Sequence, residues 1–482
     1  MKILFVTSEI HPLIKTGGLA DVSGALPAAL QALGEDVRLL IPGYTQVLDK
    51  LENKRTVASF SVFSGQPEVK LLSAKMPDTE VPVYVLDAPQ YFCRVAGPYQ
   101  YELGGDWPDN AMRFGMLSKV AAMLGSDASP VAWRADIVHC NDWQSGLAPA
   151  YLHLAAAPAK SVMTIHNIAF QGNFDRDWLE PLNLPPSCFD MHGVEFHGYL
   201  SFLKAGLHYA HRIVTVSPTY AREIQTTEMG YGMQGLLTVR NGDVSGILNG
   251  IDDKEWDPAT DKHLTSCYDS SDLAPKAAGK LALQQRLGLA PEARAPLLGV
   301  VSRLTYQKGL DMLLECLPKL LDGGAQLALL GSGEDDLERR FGQLALRYPG
   351  RVSVTFRFDE ALSHQIMAGA DIFLMPSRFE PCGLNQMYGM RYGTPPLVRR
   401  TGGLADSVSD ASLSDGTGFV FDEATPAVLY RTIVAAIECY RDQPRFKRLQ
   451  LNGMRREVGW RASAQKYIEL YRKIGRKEKA AV

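Results

Sequence analysis

A chain of 482 residues, 46% hydrophobic and 21% charged, has the composition of a globular protein of roughly two to four domains and not of a disordered or fibrous one. A formal net charge of −3 excludes the basic footprint of a nucleic-acid binder, and no apolar run approaches the ~20 residues that span a bilayer. Seven cysteines, at 93, 140, 188, 267, 316, 382 and 439, lack metal-ligand spacing and read as reduced cytoplasmic thiols. The first apolar run, "KILFVTS" from Lys2, is broken by Ser8, Glu9 and His11 and has no small-residue cleavage site. It reads as a buried strand rather than a signal peptide.

Further strands follow in "DVRLLIP", "VPVYVLD", "DIVHC", "SVMTIHN" and "RIVTVS", with helical patterns such as "GALPAALQALG" and "GLAPAYLHLAAA" between some of them. The second half repeats the alternation with the strands "PLLGVVSR", "QLALLG", "RVSVTF", "DIFLMPS" and "PPLVRR". Its helices are "GLDMLLECLPKLL", "DDLERRFGQLALRY" and "LSHQIMAGA". Continuous apolar strands separated by helices predict parallel sheets covered on both faces, so the expected class is α/β with two doubly wound domains. Turn residues and charge place the boundary in "LNGIDDKEWDPATD", Leu248 to Asp261. The expected domains are 1–250 and 251–457, with 458–482 a closing helix.

One heptapeptide nearly recurs: "KTGGLAD" at Lys15–Asp21 and "RTGGLAD" at Arg400–Asp406, each after an apolar run and before a helix. Such a turn either holds an anion on unpaired first-turn N–H groups or is simply a tight strand-to-helix connection. In open parallel sheets ligands sit beyond the carboxyl ends of the strands, so two facing sheets would share a ligand cleft with one turn on each wall.

Several other side chains fall at strand ends. Lys15 precedes the first turn, and Arg303 and Lys308 in "VVSRLTYQKG" pair a planar fork with a point charge, which suits a diphosphate or a solvated loop. Glu380 precedes Cys382-Gly383-Leu384-Asn385 at a helix start, as a sugar ligand or a cap. His139 and Asp142 follow one strand and His166 and Asn167 another, as a polar site or as structural groups. Asp175-Arg176-Asp177 has the D-x-D spacing of metal-dependent sugar transferases but reads better as a solvated loop, so no metal and no cofactor are expected.

Together "KTGGLADV", "HNIAFQG", "VSRLTYQKG", "SRFEPCGLNQ" and "RTGGLADSV" resemble, in order and spacing, the bacterial glycogen synthases and their plant starch synthase relatives. The likeness runs from Lys2 to about Tyr471. It implies a GT-B fold, two Rossmann-like domains facing across a deep cleft, with the last helix crossing back to the first. It implies glucose transfer from ADP-glucose to the non-reducing 4-hydroxyl of an α-1,4-glucan with retention of configuration. By position Lys15 and Gly18 would meet the donor phosphates, with Arg303 and Lys308 on the leaving diphosphate. Glu380 would bind the donor glucose, with Cys382 to Asn385 supplying N–H groups. His166 and Asn167 would lie by the sugar, Asp142 toward the acceptor, and Tyr99 and Asn249 near sugar and phosphate. Thr401 and Gly402 belong to the second copy of the turn, and Phe358 would flank adenine. This chain departs from the family at Asn141 (usually His), Asn385 (usually Thr) and Arg357-Phe358 (usually Gly-Tyr).

No carboxylate pair flanks the sugar as a double displacement would require, so front-face substitution is expected, the leaving phosphate taking the acceptor's proton. A glucan phosphorylase would need a pyridoxal-phosphate lysine segment, which is not recognisable in the sequence. An inactive glucan-binding relative would not be expected to retain Lys15, Arg303, Lys308 and Glu380.

Overall fold

The computed structural model describes residues 1–101 and 104–476. The chain forms two compact units, one of residues 1–249 with the segment from Trp460, the other Gly250–Gly459. The sheet of the first unit contains β1 (Lys2–Val6), β2 (Asp36–Pro42), β3 (Arg55–Phe60), β4 (Val69–Lys75), β5 (Pro82–Asp87), β6 (Ile137–Asn141) and β7 (Lys160–Ile165). A small antiparallel sheet follows, of β8 (Asn173–Phe174), β9 (Glu195–Phe196) and β10 (Tyr199–Ser201); β11 (Arg212–Thr215) and β12 (Val244–Gly246) then complete the large one.

The large sheet runs β12-β11-β7-β6-β1-β2-β5-β4-β3. Strands β12 through β5 are parallel, but β4 and β3 pair antiparallel at the edge. That edge departs from the all-parallel expectation because the connections around β4 are too short for a helical crossover, leaving only hairpin-like returns. In the centre, Ile3, Leu4, Phe5 and Val6 are fully buried, as a strand covered on both faces must be. Helix Gly18–Ala32 follows β1 and buries Leu19, Val22, Leu26 and Leu30, a 3.6-residue stripe. Full burial of a leucine such as Leu26 or Leu30 contributes roughly 1.5–3 kcal/mol. Helix Trp460–Arg476 packs on that helix, with Tyr467 and Tyr471 fully buried. The Tyr471 hydroxyl lies 2.7 Å from Nδ1 of His139 on β6.

The second unit holds β13 (Leu297–Val301), β14 (Gln326–Leu330), β15 (Val352–Thr355), β16 (Ile372–Met375), β17 (Pro396–Arg399) and β18 (Phe419–Phe421). All are parallel, in the order β15-β14-β13-β16-β17-β18. Leu298, Val300, Leu327, Leu329, Phe341 and Ile372 are part of one apolar core with helix Leu310–Asp322. The segment after the boundary is pinned to this unit: Trp256 stacks on His364 and on Tyr388, each 3.8 Å between ring centroids, and Asp261 accepts from the Tyr392 hydroxyl at 2.5 Å.

Both sheets reverse their winding at a defined place. In the first unit the order switches between β1 and β6, in the second between β13 and β16, and crevices open at the carboxyl ends of such strand pairs. Among the described residues no helix is long and apolar enough to cross a membrane.

Candidate active site

The loop leaving β1 at its switch point is built around Glu9. Its Oε2 accepts the N–H groups of Thr16 at 2.5 Å and Gly17 at 3.2 Å. Its Oε1 accepts the Thr16 hydroxyl at 2.6 Å and the Tyr99 phenol at 2.5 Å. The N–H groups just ahead of the helix's first turn, those of Thr16 and the N-cap Gly17, are therefore taken by the protein's own carboxylate. Lys15 remains half-exposed, in a 2.6 Å pair with Asp21, and nothing lies within 4 Å of where a Cβ would stand on Gly17 or Gly18. Tyr99 also bonds Ser8 at 2.8 Å, and its carbonyl accepts from Asn110, which in turn accepts from buried Arg113 at 2.6 Å. Burial and the neighbouring Glu9 charge hold the Tyr99 phenol well above its usual range, so it stays a donor.

Across the same switch point Asp142 follows β6 with φ of 53°, a left-handed conformation that a non-glycine residue adopts at a cost. Its Oδ1 accepts the His166 N–H at 2.7 Å, and the Asn167 N–H also reaches this carboxylate. Burial pushes the Asp142 carboxyl up to about 7, the two amides oppose that shift, and the charge of Glu9 adds to it. His166, desolvated and pushed down to about 3, is a neutral imidazole. Asn141 donates from Nδ2 to the Val6 carbonyl at 2.9 Å, so its Oδ1 is left to face Nε2 of His166 at 3.0 Å. That arrangement selects the tautomer with the proton on Nε2. Asn167 accepts from the Ala169 N–H. Asn249 is buried, and its Oδ1 has no hydrogen-bond partner among the described residues.

In the second unit Arg303 follows β13 and is exposed, its guanidinium without an ion-pair partner among the described residues. Lys308 lies 2.5 Å from Oε2 of Glu380, which also accepts the Ser377 hydroxyl at 2.9 Å. Glu380 is 6% exposed, so this is a desolvated pair rather than a surface one. Gly383, at φ of 71°, makes the turn into helix Asn385–Arg391; Cys382 is buried and Leu384 half-buried. Asn385 donates to the Val301 carbonyl at 2.7 Å and ties this loop to the end of β13. Gln386 holds the carbonyls of Cys382 and Gly383. Thr401 and Gly402 are buried beneath the loop, and the Gly403 N–H reaches the Glu380 and Pro381 carbonyls at 3.1 Å. Phe358 stands apart, 77% exposed, just before the Asp359 cap of helix Glu360–Gly369.

The structure thus ties Tyr99 through Glu9 to Thr16 and Gly17, the residues between Lys15 and Gly18; joins Asp142, His166 and Asn167 through one carboxylate; and joins Lys308 with Glu380 through an ion pair. Sequence reasoning used Glu9 only against a signal peptide and Asn141 only as a departure from a motif. The available signal for Glu9 was an acidic residue in the loop after a central strand and before the Gly-Gly turn. Asp175 and Asp177 are both exposed at a short turn. His139 is buried between Thr164 and Tyr471 at 2.7 Å each, a structural group.

Residues 2–239 match the family model of the starch synthase catalytic domain, and residues 285–450 match that of glycosyl transferases group 1. The chain is 54% identical to a glycogen synthase of Nitrosospira multiformis over 98% of this chain and 97% of that one. It is 53% identical to a glycogen synthase of Nitrosomonas europaea, with the same coverage. The solved catalytic domain of starch synthase IV from Arabidopsis thaliana, bound to ADP and acarbose, superposes with a TM-score of 0.88 at 31% identity, covering 98% of this chain and 99% of that one. Identity of this extent along the whole length, over two Rossmann-like units, shows that the chain belongs to the glycogen synthase family of retaining GT-B glucosyltransferases.

Proposed function

We propose that the chain transfers glucose from ADP-glucose to the non-reducing 4-hydroxyl of an α-1,4-glucan, in the cytoplasm. The observation that carries this reading is the desolvated Lys308–Glu380 pair at a sheet switch point, with Arg303 on the same loop and its guanidinium without an ion-pair partner among the described residues. A nucleotide sugar needs both kinds of group: cations for the departing diphosphate and a carboxylate for the sugar hydroxyls. In this reading Arg303, Lys308 and Lys15 meet the diphosphate, Gly18 leaves room beside it, and Glu380 holds the glucose with the Cys382–Asn385 loop. Phe358 offers its exposed ring to adenine.

The acceptor oxygen forms the new bond to the anomeric carbon on the face from which the phosphate oxygen departs. The bond between that carbon and the phosphate oxygen breaks, and the acceptor's proton passes to the same phosphate oxygen. The products are ADP and a glucan longer by one glucose. Asp142 and the His166 main chain stabilise the positive charge on the sugar, with Asn167, Tyr99 and Asn249 around it. Preorganised charge aimed at the leaving group is the largest contribution. Donor competition between ADP-glucose and UDP-glucose, with a maltooligosaccharide acceptor, tests the reading. Faster turnover with ADP-glucose at matched low concentration is expected; equal rates would overturn the donor assignment.

A further inference from the structure

The loop that carries Lys15 contains a negative charge of its own. Glu9 is 3% exposed, and its four donors are all neutral: the Thr16 and Gly17 amides, the Thr16 hydroxyl and the Tyr99 phenol. No lysine, arginine or histidine pairs with it among the described residues. Burying a carboxylate is costly unless hydrogen bonds replace its water, so four convergent donors mark a place the loop is folded around. Tyr99 is itself fixed, since its carbonyl is held by Asn110 of helix Asn110–Leu124 and Asn110 is held by Arg113. A continuous chain of hydrogen bonds therefore runs from that helix, through Tyr99 and Glu9, into the turn.

We propose that Glu9 is a positioning residue that fixes the Lys15–Gly18 turn through the Thr16 and Gly17 amides, so that a substrate phosphate meets the turn at Lys15 and Gly18 rather than at those two amides. The inference rests on the reading of Lys15 as a donor contact and adds to it. A glycine-rich turn with free amides would collect a phosphate on them. Here the side-chain anion already occupies two, and a second anion at the same N–H groups would meet the Glu9 carboxylate at contact distance. The turn is held in its ligand-ready shape before any ligand arrives, which removes an ordering cost from binding. The role requires acceptor oxygens at fixed places rather than a charge. A glutamine can set Oε1 against the two amides and turn Nε2 toward the Thr16 and Tyr99 hydroxyls, which accept as well as donate.

The test is steady-state kinetics with ADP-glucose and a maltooligosaccharide, with thermal melts, on the full-chain variants Glu9→Gln, Glu9→Ala, Lys15→Ala and the double variant Glu9→Ala/Lys15→Ala. Glu9→Ala and Lys15→Ala are each expected to lose at least about tenfold in kcat/KM, and the double variant to fall no more than about threefold below the worse single one. Glu9→Gln is expected to recover most of what Glu9→Ala loses. Normal kinetics of Glu9→Ala beside an impaired Lys15→Ala would overturn the proposal. So would a double variant that loses the product of the two single effects, or a Glu9→Gln as weak as Glu9→Ala. If Glu9→Ala does not melt cooperatively, Glu9→Asp, whose carboxylate falls short of the turn, replaces it in the same cycle with the same criteria. A Lys15→Ala variant at wild-type rate would overturn the donor-contact reading, and this proposal with it.

Discussion

In the first unit the turn at Lys15–Asp21 opens a fifteen-residue helix, and its two glycines face open space. In the second unit the nearly identical turn at Arg400–Asp406 opens a helix of six residues, and its glycines are buried. A Cβ on Gly402 would stand 1.9 Å from the Glu380 carbonyl oxygen, and one on Gly403 would stand 2.1 Å from that of Cys382. The leading cations differ in the same sense. Lys15 belongs to a loop organised by Glu9, whereas Arg400 makes an exposed pair with Asp422. One set of letters thus leaves room for a ligand in one place and lets two loops touch in another. The spelling of the turn gives its backbone shape, and the neighbours decide its use.

The comparison breaks first at the glycines. Gly403→Ala should cost about 4 kcal/mol or more, because its methyl would meet the Cys382 backbone, which cannot move aside as a flexible side chain would, and little folded protein should be recovered. Gly18→Ala should melt within about 1 kcal/mol of wild type, since alanine suits a first helical turn, yet lose at least about tenfold in kcat/KM. Equal melting of the two variants would erase the distinction. The second unit's cations come next. Lys308→Ala and Arg303→Ala should each cost roughly 10²–10³ in turnover, about 3–4 kcal/mol, as expected for single groups stabilising a leaving anion. The two leading cations of the heptapeptides then sharpen the contrast. Lys15→Ala should be at least about tenfold slower, while Arg400→Ala, losing only a solvated pair, should turn over and melt close to wild type.

A pH profile should separate the units further. The charged carboxylate of the second unit is ion-paired, whereas Asp142 in the first is held by amides with its carboxyl at about 7. Turnover should rise with pH through about 7 as Asp142 ionises, and Asp142→Asn should lose that limb. Because the folded-state value lies above the usual 3.8, the folded chain keeps a proton that the unfolded chain releases. Stability from this group should therefore fall as pH rises from about 4 to 7, a slope that Asp142→Asn should lack. His166, neutral above about 3, should contribute no limb near neutrality. The smallest effect is expected from Asp175→Ala with Asp177→Ala and from chelator, each leaving turnover within a few-fold, because in the proposed reading fixed cations serve the leaving group. A magnesium-reversible loss with EDTA would contradict that assignment.

Most parallel strands were legible because strands buried on both faces, such as β1 and β13, read as unbroken apolar runs, whereas the three-residue β12 and β18 are too short to stand out and went unread. The half-exposed edge strand β3, with Arg55, Thr56 and Val57 exposed, gave no such run and went unread. Helix Asn110–Leu124 also escaped notice, since burial on nearly every side leaves it without a polar face to set a period. At the site, residues whose side chains stand at strand ends, such as Arg303 and Glu380, could be picked out by position. Glu9 also stands in the loop after a strand, but its hydrogen bonds run to amides seven and eight residues later, a return that no local pattern records. The Lys308–Glu380 pair joins residues 72 apart, a contact that only the packing of β13 beside β16 creates.

Tyr467 and Tyr471 cover the His139 face of β6, a partnership across 332 residues of chain. At about 5–20 residues per second, a ribosome needs roughly 15–70 s to make the second partner after the first. Throughout that interval the entire second unit can emerge and fold, while the first displays an unfinished apolar surface to the cell. The unit that begins the chain is thus the last to be completed. During synthesis its exposed face, rather than the later-made sheet, is where a chaperone would be needed.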